Sequence, residues 1–115
     1  MKVLCVASDR ARLVSLKQDV VAAEWELCSG ATDLRGALDQ LDVERPHALV
    51  AFGPFEELVA LTADRFPGMR IVTDRAMPGS SVVVETGSEA RATLREQPRP
   101  GGPVGSGQPP QAPQP

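Results

Sequence analysis

Long apolar runs are missing from this chain. None approaches the length needed to cross a bilayer, and the run from Met1 to Ala7 is too short for a secretory signal and is closed by Asp9. Nothing points to export, so the expected compartment is the cytoplasm, with no membrane contact. Cysteine is scarce. Cys5 and Cys28 both fall in strand-like segments, where cysteine behaves as a small buried hydrophobe. A redox pair across neighbouring strands is the alternative for them. There is one histidine, His47, with no second metal ligand beside it and no nucleophile to serve. Aromatic side chains number four (Trp25, Phe52, Phe55 and Phe66), and no basic stripe interleaves with them. Positive charge is also short. The 115 residues carry a net −3, and the last eighteen contribute only the positive Arg99, which leaves −4 on the rest. An acidic domain without a basic stripe is a poor binder of phosphate backbones, so no nucleic-acid partner is expected.

What the chain does have is a rhythm. Five short β-branched runs alternate with amphipathic stretches from Met1 to about Glu96. Lys2 to Ala7 reads as a strand buried on both faces. Ser8 or Asp9 caps a helix whose apolar stripe is Leu13, Val14, Leu16, Val20 and Val21. Trp25 to Ser29 is a short edge strand. Thr32 caps a second helix, on which Leu34, Ala37, Leu38 and Leu41 recur at helical spacing. Arg45-Pro46 ends it. His47 to Phe52 is the third strand, and Gly53-Pro54 breaks it, with Pro54 suited to a first helical position. Phe55 to Phe66 forms the third helix, Met69 to Thr73 the fourth strand, and Ser81 to Glu85 the fifth. Gly87-Ser88 opens a last helix.

Alternation of this kind implies parallel strands with right-handed crossovers. Only Asp74 to Ser80 joins strands four and five, and a parallel return normally takes a dozen residues or more. The fourth helix is therefore expected to be missing. A minimal parallel connection is favoured over an antiparallel last strand, because the final helix needs a face to cover. From Pro98 to Pro115 the chain holds seven of its eleven prolines and four of its ten glycines. Such a segment buries too little to offset its ordering entropy. The expected organisation is one α/β domain over 1–96 and a disordered Pro/Gly/Gln-rich tail over 97–115.

Five βα units in this order resemble the receiver domain of bacterial response regulators. The opening Lys2-Val3-Leu4-Cys5-Val6 is similar to a receiver's first strand, and Arg45-Pro46-His47-Ala48-Leu49-Val50 to the entry of its third. The resemblance implies a three-layer, flavodoxin-like sandwich with a mostly parallel five-stranded sheet in the order 2-1-3-4-5. It also implies a phosphorylation site, and there the chain departs. Ala7 and Ser8 stand where a receiver has paired acids for Mg²⁺, with only Asp9 acidic nearby. Phe52, followed by Gly53, stands at the phosphoacceptor's place. Glu85-Thr86 replaces the expected lysine, while Thr73 matches the switch hydroxyl. Asp74-Arg75-Ala76-Met77-Pro78-Gly79 has the spacing that follows a receiver's phosphoacceptor, but it comes after the fourth strand, where it reads as a Pro-Gly turn.

The reading is a degenerate receiver: a non-catalytic regulatory module that works without phosphorylation. No cofactor and no resident metal are expected, and no catalytic residue is named. The expected partner is a protein or a second copy, meeting apolar sheet that the missing helix leaves bare beside strands four and five. Two alternatives stay open. One is a small-ligand or nucleotide crevice, or a switch region, formed from Ser8, Asp9, Phe52, Gly53, Thr73 and Asp74 beside Pro54. Its anion would sit near the glycine turns at Gly53 and Gly87. The other is a true phospho-switch on Asp74. Asp9, Glu56, Glu57 and Asp74 are a candidate Mg²⁺ cluster, three of them equally explained as helix N-terminal acids.

Overall fold

A computed structural model describes residues 1–96; the tail expected to be disordered lies outside the described residues. The strands are β1 (Lys2–Ala7), β2 (Glu26–Leu27), β3 (Ala48–Phe52), β4 (Arg70–Thr73) and β5 (Val82–Val83). The helices are α1 (Arg10–Val20), α2 (Leu34–Glu44), α3 (Glu56–Arg65) and α4 (Gly87–Arg95). One sheet runs β2-β1-β3-β4-β5, and every neighbouring pair is parallel. The order expected from the sequence is the order found.

Successive side chains of a strand point to opposite faces, so a strand covered by helices on both sides feeds two cores. Val3, Cys5 and Ala7 of β1, with Ala48 and Val50 of β3 and Val72 of β4, pack under α1 and α4. Leu4, Val6, Leu49, Ala51 and Ile71 pack under α2 and α3. From Val3 to Ala7 no side chain is more than marginally exposed. That is the physical reason these strands read as unbroken apolar runs.

The helix ends depart from expectation in two places. The cap of α2 is Asp33, one residue after Thr32; its Oδ1 accepts from the Gly36 N–H at 2.7 Å. A carboxylate at this position also complements the helix dipole. Helix α3 begins at Glu56 and not at Pro54, because the Phe55 N–H turns back to the Gly53 carbonyl at 2.9 Å and delays the first helical residue. Asp9 caps α1, and Thr86 with Glu89 forms a reciprocal capping box on α4.

The edge strands are shorter than their apolar runs. Beyond Leu27 the chain still follows β1, with the Cys28 N–H on the Val3 carbonyl and the Ala31 N–H on the Cys5 carbonyl. Gly30, at φ +92°, kinks the ladder between them. The edge position expected for the second strand is correct; its full length is not.

The return from β4 to β5 is parallel and irregular, and among the described residues no helix lies between them. Hydroxyl groups hold it. Thr73 Oγ1 donates to the Arg75 carbonyl at 2.7 Å and lies 2.8 Å from Ser80 Oγ. Ser81 Oγ accepts from the Ile71 N–H at 3.0 Å. The loop then lies on α3. A Cβ on Gly79, whose φ is +94°, would stand 3.0 Å from Ala63 Cβ and 3.2 Å from the Val59 carbonyl. Met77 packs into the same core. The expected stretch of bare apolar sheet is therefore mostly absent. Ile71 and Thr73 are fully covered, and Val83, 50% exposed, is the large apolar side chain left open on these two strands.

Two tests follow from the helix ends. Thr86→Ala removes the α4 cap and should cost about 1 kcal/mol. Thermal unfolding should then shift down by roughly 4–8 °C for a domain of this size. The second test concerns the link between α4 and the turn before β2. There Arg95 donates to Glu24 at 2.8 Å, and this bond, with the nearby positive charge, holds the Glu24 carboxyl below its ordinary range. A lowered carboxyl stabilises the fold above its unfolded pKa, and the effect is lost as pH falls through the folded value. Glu24→Gln should melt slightly lower than the parent chain at pH 7, with the gap closing as acidification protonates the folded-state carboxyl; a gap that stays constant on acidification assigns the effect to something other than charge.

Candidate functional site

In open α/β sheets, ligand crevices form at the carboxyl ends of the strands. Here β1 ends at Ala7, β3 at Phe52 and β4 at Thr73, and α1 starts beside them. Between these ends and α1 lies a cavity of about 220 Å³. Ser8, Phe52, Gly53 and Asp74 line it, as the crevice reading expects. Asp9 does not. Its Oδ1 accepts from the Arg12 N–H at 2.8 Å to cap α1, and its other oxygen faces Arg12 Nε at 3.5 Å. Thr73 does not line it either, since its hydroxyl is bonded into the β4–β5 loop. Pro54 lies outside the lining, and Glu56 and Glu57 stand exposed in the first turn of α3. Of the four acids grouped from the sequence, the crevice thus receives Asp74 alone. Among the described residues no three His, Cys, Asp or Glu side chains converge as a metal-holding group.

The centre of the site is a turn fastened by a side chain. Gly53 has φ +131° and is buried, and a Cβ there would fall 2.6 Å from Ser8 Oγ. Its N–H donates to Asp74 Oδ1 at 3.1 Å. Arg75 closes on the same carboxylate, Nε to Oδ1 at 3.1 Å and Nη2 to Oδ2 at 3.3 Å. The carboxylate in turn holds the Arg75 guanidinium above its ordinary pKa. Both oxygens of Asp74 are therefore occupied. Phe52, opposite Ala7 in the β1–β3 register, packs against the core beneath α1.

Three contributors escaped the sequence reading: Arg12, Ser15 and Asp19 of α1. The signal was present. Ser8, Arg12, Ser15 and Asp19 recur at steps of four, three and four, which is one face of a helix. That face flanks the buried one formed by Leu13, Leu16 and Val20. Arg75 and Gly87 complete the lining.

The other candidates resolve simply. Cys5 packs under α1 and Cys28 under α2, on opposite faces of the sheet, so the two cannot pair. Burial pushes the Cys5 thiol up to about 12 and raises that of Cys28, which removes the thiolate that redox chemistry needs. His47 sits at the opposite edge of the sheet, exposed, with Nδ1 accepting from the Lys2 N–H at 3.1 Å.

Topology and layers coincide with those of solved receiver domains. A CheY-like response regulator receiver domain protein from Methanospirillum hungatei superposes with a TM-score of 0.67 at 20% identity, over 83% of this chain and 90% of that one. This is a receiver fold. The signal receiver domain of an HD domain-containing protein from Pseudomonas fluorescens gives 0.67 at 18% identity, over 83% and 91%. The response regulator domain of Thermotoga maritima CheB gives 0.66 at 14% identity, over 84% and 91%. By sequence, no protein-family model and no curated protein matches the chain. The receiver fold thus survives here at identities where side chains have been freely exchanged, and the site must be judged from its own residues.

Gly53 leaves no room for a side chain. Gly53→Ala combines a strained backbone with a clash against Ser8 and should cost about 2 kcal/mol, read by urea unfolding. Ser8→Ala in the same background removes the clashing oxygen and should recover part of that loss.

Proposed function

We propose that this chain is a receiver-fold regulatory module, without catalytic activity of its own, that acts through a protein partner and does not depend on aspartyl phosphorylation. One observation carries the reading: Phe52 ends β3, and its ring packs into the core beneath α1. A phenyl ring offers no oxygen for a phosphoryl group. Two neighbours support it. The Thr73 hydroxyl is fully engaged in the β4–β5 loop, and Asp74 spends its oxygens on Gly53 and Arg75. No helix among the described residues is long and apolar enough to cross a membrane, and we place the module in the cytoplasm.

The partner is inferred to be a protein, or a second copy, and not a nucleic acid, because the receiver-fold part is acidic. Its footprint must extend beyond β5. Covering the exposed half of one valine is worth about 1 kcal/mol. Association costs at least about 4 kcal/mol in lost freedom. Val83 alone therefore holds nothing.

The test is a backbone amide NMR titration of the full chain with Mg²⁺ and then beryllofluoride, which imitates an aspartyl phosphate. No saturable shift that requires Mg²⁺ should appear at Thr73 or Asp74. Saturable, Mg²⁺-dependent shifts at Asp74 would make the protein a phospho-switch and sink the present reading.

A further inference from the structure

The crevice carries more hydrogen-bond donors than its own groups engage. Both oxygens of Asp74 are taken by the Gly53 N–H and by Arg75. Asp19 lies against the first turn of α4, its Oδ2 2.8 Å from where a Gly87 Cβ would stand. There the positive end of the α4 dipole already meets it. The donors tell the opposite story. A guanidinium carries five N–H groups. Arg75 uses a minority of them on Asp74, and Arg12, 74% exposed, makes one side-chain contact of 3.5 Å to Asp9. Among the described residues neither Ser8 nor Ser15 has a hydrogen-bond partner for its hydroxyl, and both line the same cavity. Arg12 and Ser15 come from one face of α1, and Ser8 stands just before its Asp9 cap, so one helix and its entry set their spacing.

Guanidinium N–H groups and hydroxyls left unengaged around one cavity suit an anion, although the Asp19 carboxylate shares the lining. Size narrows the choice. The volume of about 220 Å³ is below the range of about 300–1,000 Å³ typical of drug-sized ligands, which excludes a dinucleotide. Arginine favours planar or tetrahedral oxyanions, which it meets with paired hydrogen bonds. We propose that the crevice is a metal-independent receptor for a small oxyanion, the phosphate of a compact monoester or a short carboxylate, held by Arg12 and Arg75 with the Ser8 and Ser15 hydroxyls. This rests on the reading above only in leaving the site free of covalent phosphoryl chemistry. It also gives the module an input, since a ligand seated there touches the ends of β1, β3 and β4 at once.

The experiment uses the full chain with no Mg²⁺, titrated with inorganic phosphate while chloride keeps ionic strength constant, and read by amide NMR. A parallel arm uses malonate. Saturable shifts at Ser8, Gly53 and Gly87 are expected, and the tighter of the two anions names the source. Arg12→Gln should weaken the tighter anion about tenfold, the usual loss for a charged hydrogen bond. Arg45→Gln, at the opposite edge of the sheet, should leave it unchanged. Should Arg12→Gln fold poorly, Ser15→Ala serves in its place, with a smaller weakening expected. Shifts that never saturate, equal weakening in Arg45→Gln, or a strict need for Mg²⁺ would each overturn the proposal. A beryllofluoride response at Asp74 that requires Mg²⁺, by contrast, would sink the phosphorylation-independent reading while leaving this metal-free titration to be judged by itself.

Discussion

Everything in this molecule hangs on two central strands that are sealed on both faces. β1 and β3 present alternate side chains to two separate cores, and from Val3 to Ala7 almost no surface stays open. A polar residue inside either strand would be buried without a partner, at a cost of about 1–3 kcal/mol. Chemistry is therefore confined to the strand ends, where the backbone leaves the sheet. The location of the crevice is in this sense a by-product of the packing. The fold offers one polar seam at its carboxyl edge, and whatever side chains stand there decide the use.

The short β4–β5 return shows how a receiver fold closes without its usual crossover helix. A helix would cover the sheet with an apolar stripe. Here Met77 and the backbone at Gly79 lie on α3 and do the covering, and Thr73, Ser80 and Ser81 satisfy the loop from inside. The exchange has a functional side. A hydroxyl bonded to the Arg75 carbonyl and to Ser80 is part of the loop's own structure, so Thr73 cannot swing toward the crevice without opening that loop.

Much of the fold was legible in the residues. Parallel direction followed from the alternation of buried runs with helical spacing, because each run had to be covered on both faces, and the strand order followed from the resemblance to receivers. The missing fourth helix followed from too little chain between Thr73 and Val82. What escaped was local. Asp33 outcompeted Thr32 as a cap through geometry that adjacent residues do not reveal. The Phe55 turn-back delayed α3, and Gly30 cut β2 short. In the site, Ser8, Phe52, Gly53 and Asp74 were legible as residues at strand ends. Arg12, Ser15 and Asp19 were not, because apolar spacing marks the buried face of a helix and their stripe is polar.

Asp74 illustrates how position alone redirects a carboxylate. At the end of β3, an acid would face the open crevice. At the end of β4, one strand further along, it reaches back across the sheet and accepts from the Gly53 N–H. That N–H needs a partner, because the residue is buried and its φ of +131° turns the backbone out of the sheet. The carboxylate therefore serves as a staple between two strand ends, and Arg75 neutralises the charge that the staple introduces. A carboxylate so used is a weakened nucleophile, since both partners draw on its negative charge. With the acid committed to architecture, the hydrogen-bonding capacity left in the crevice lies largely with its guanidinium and hydroxyl groups.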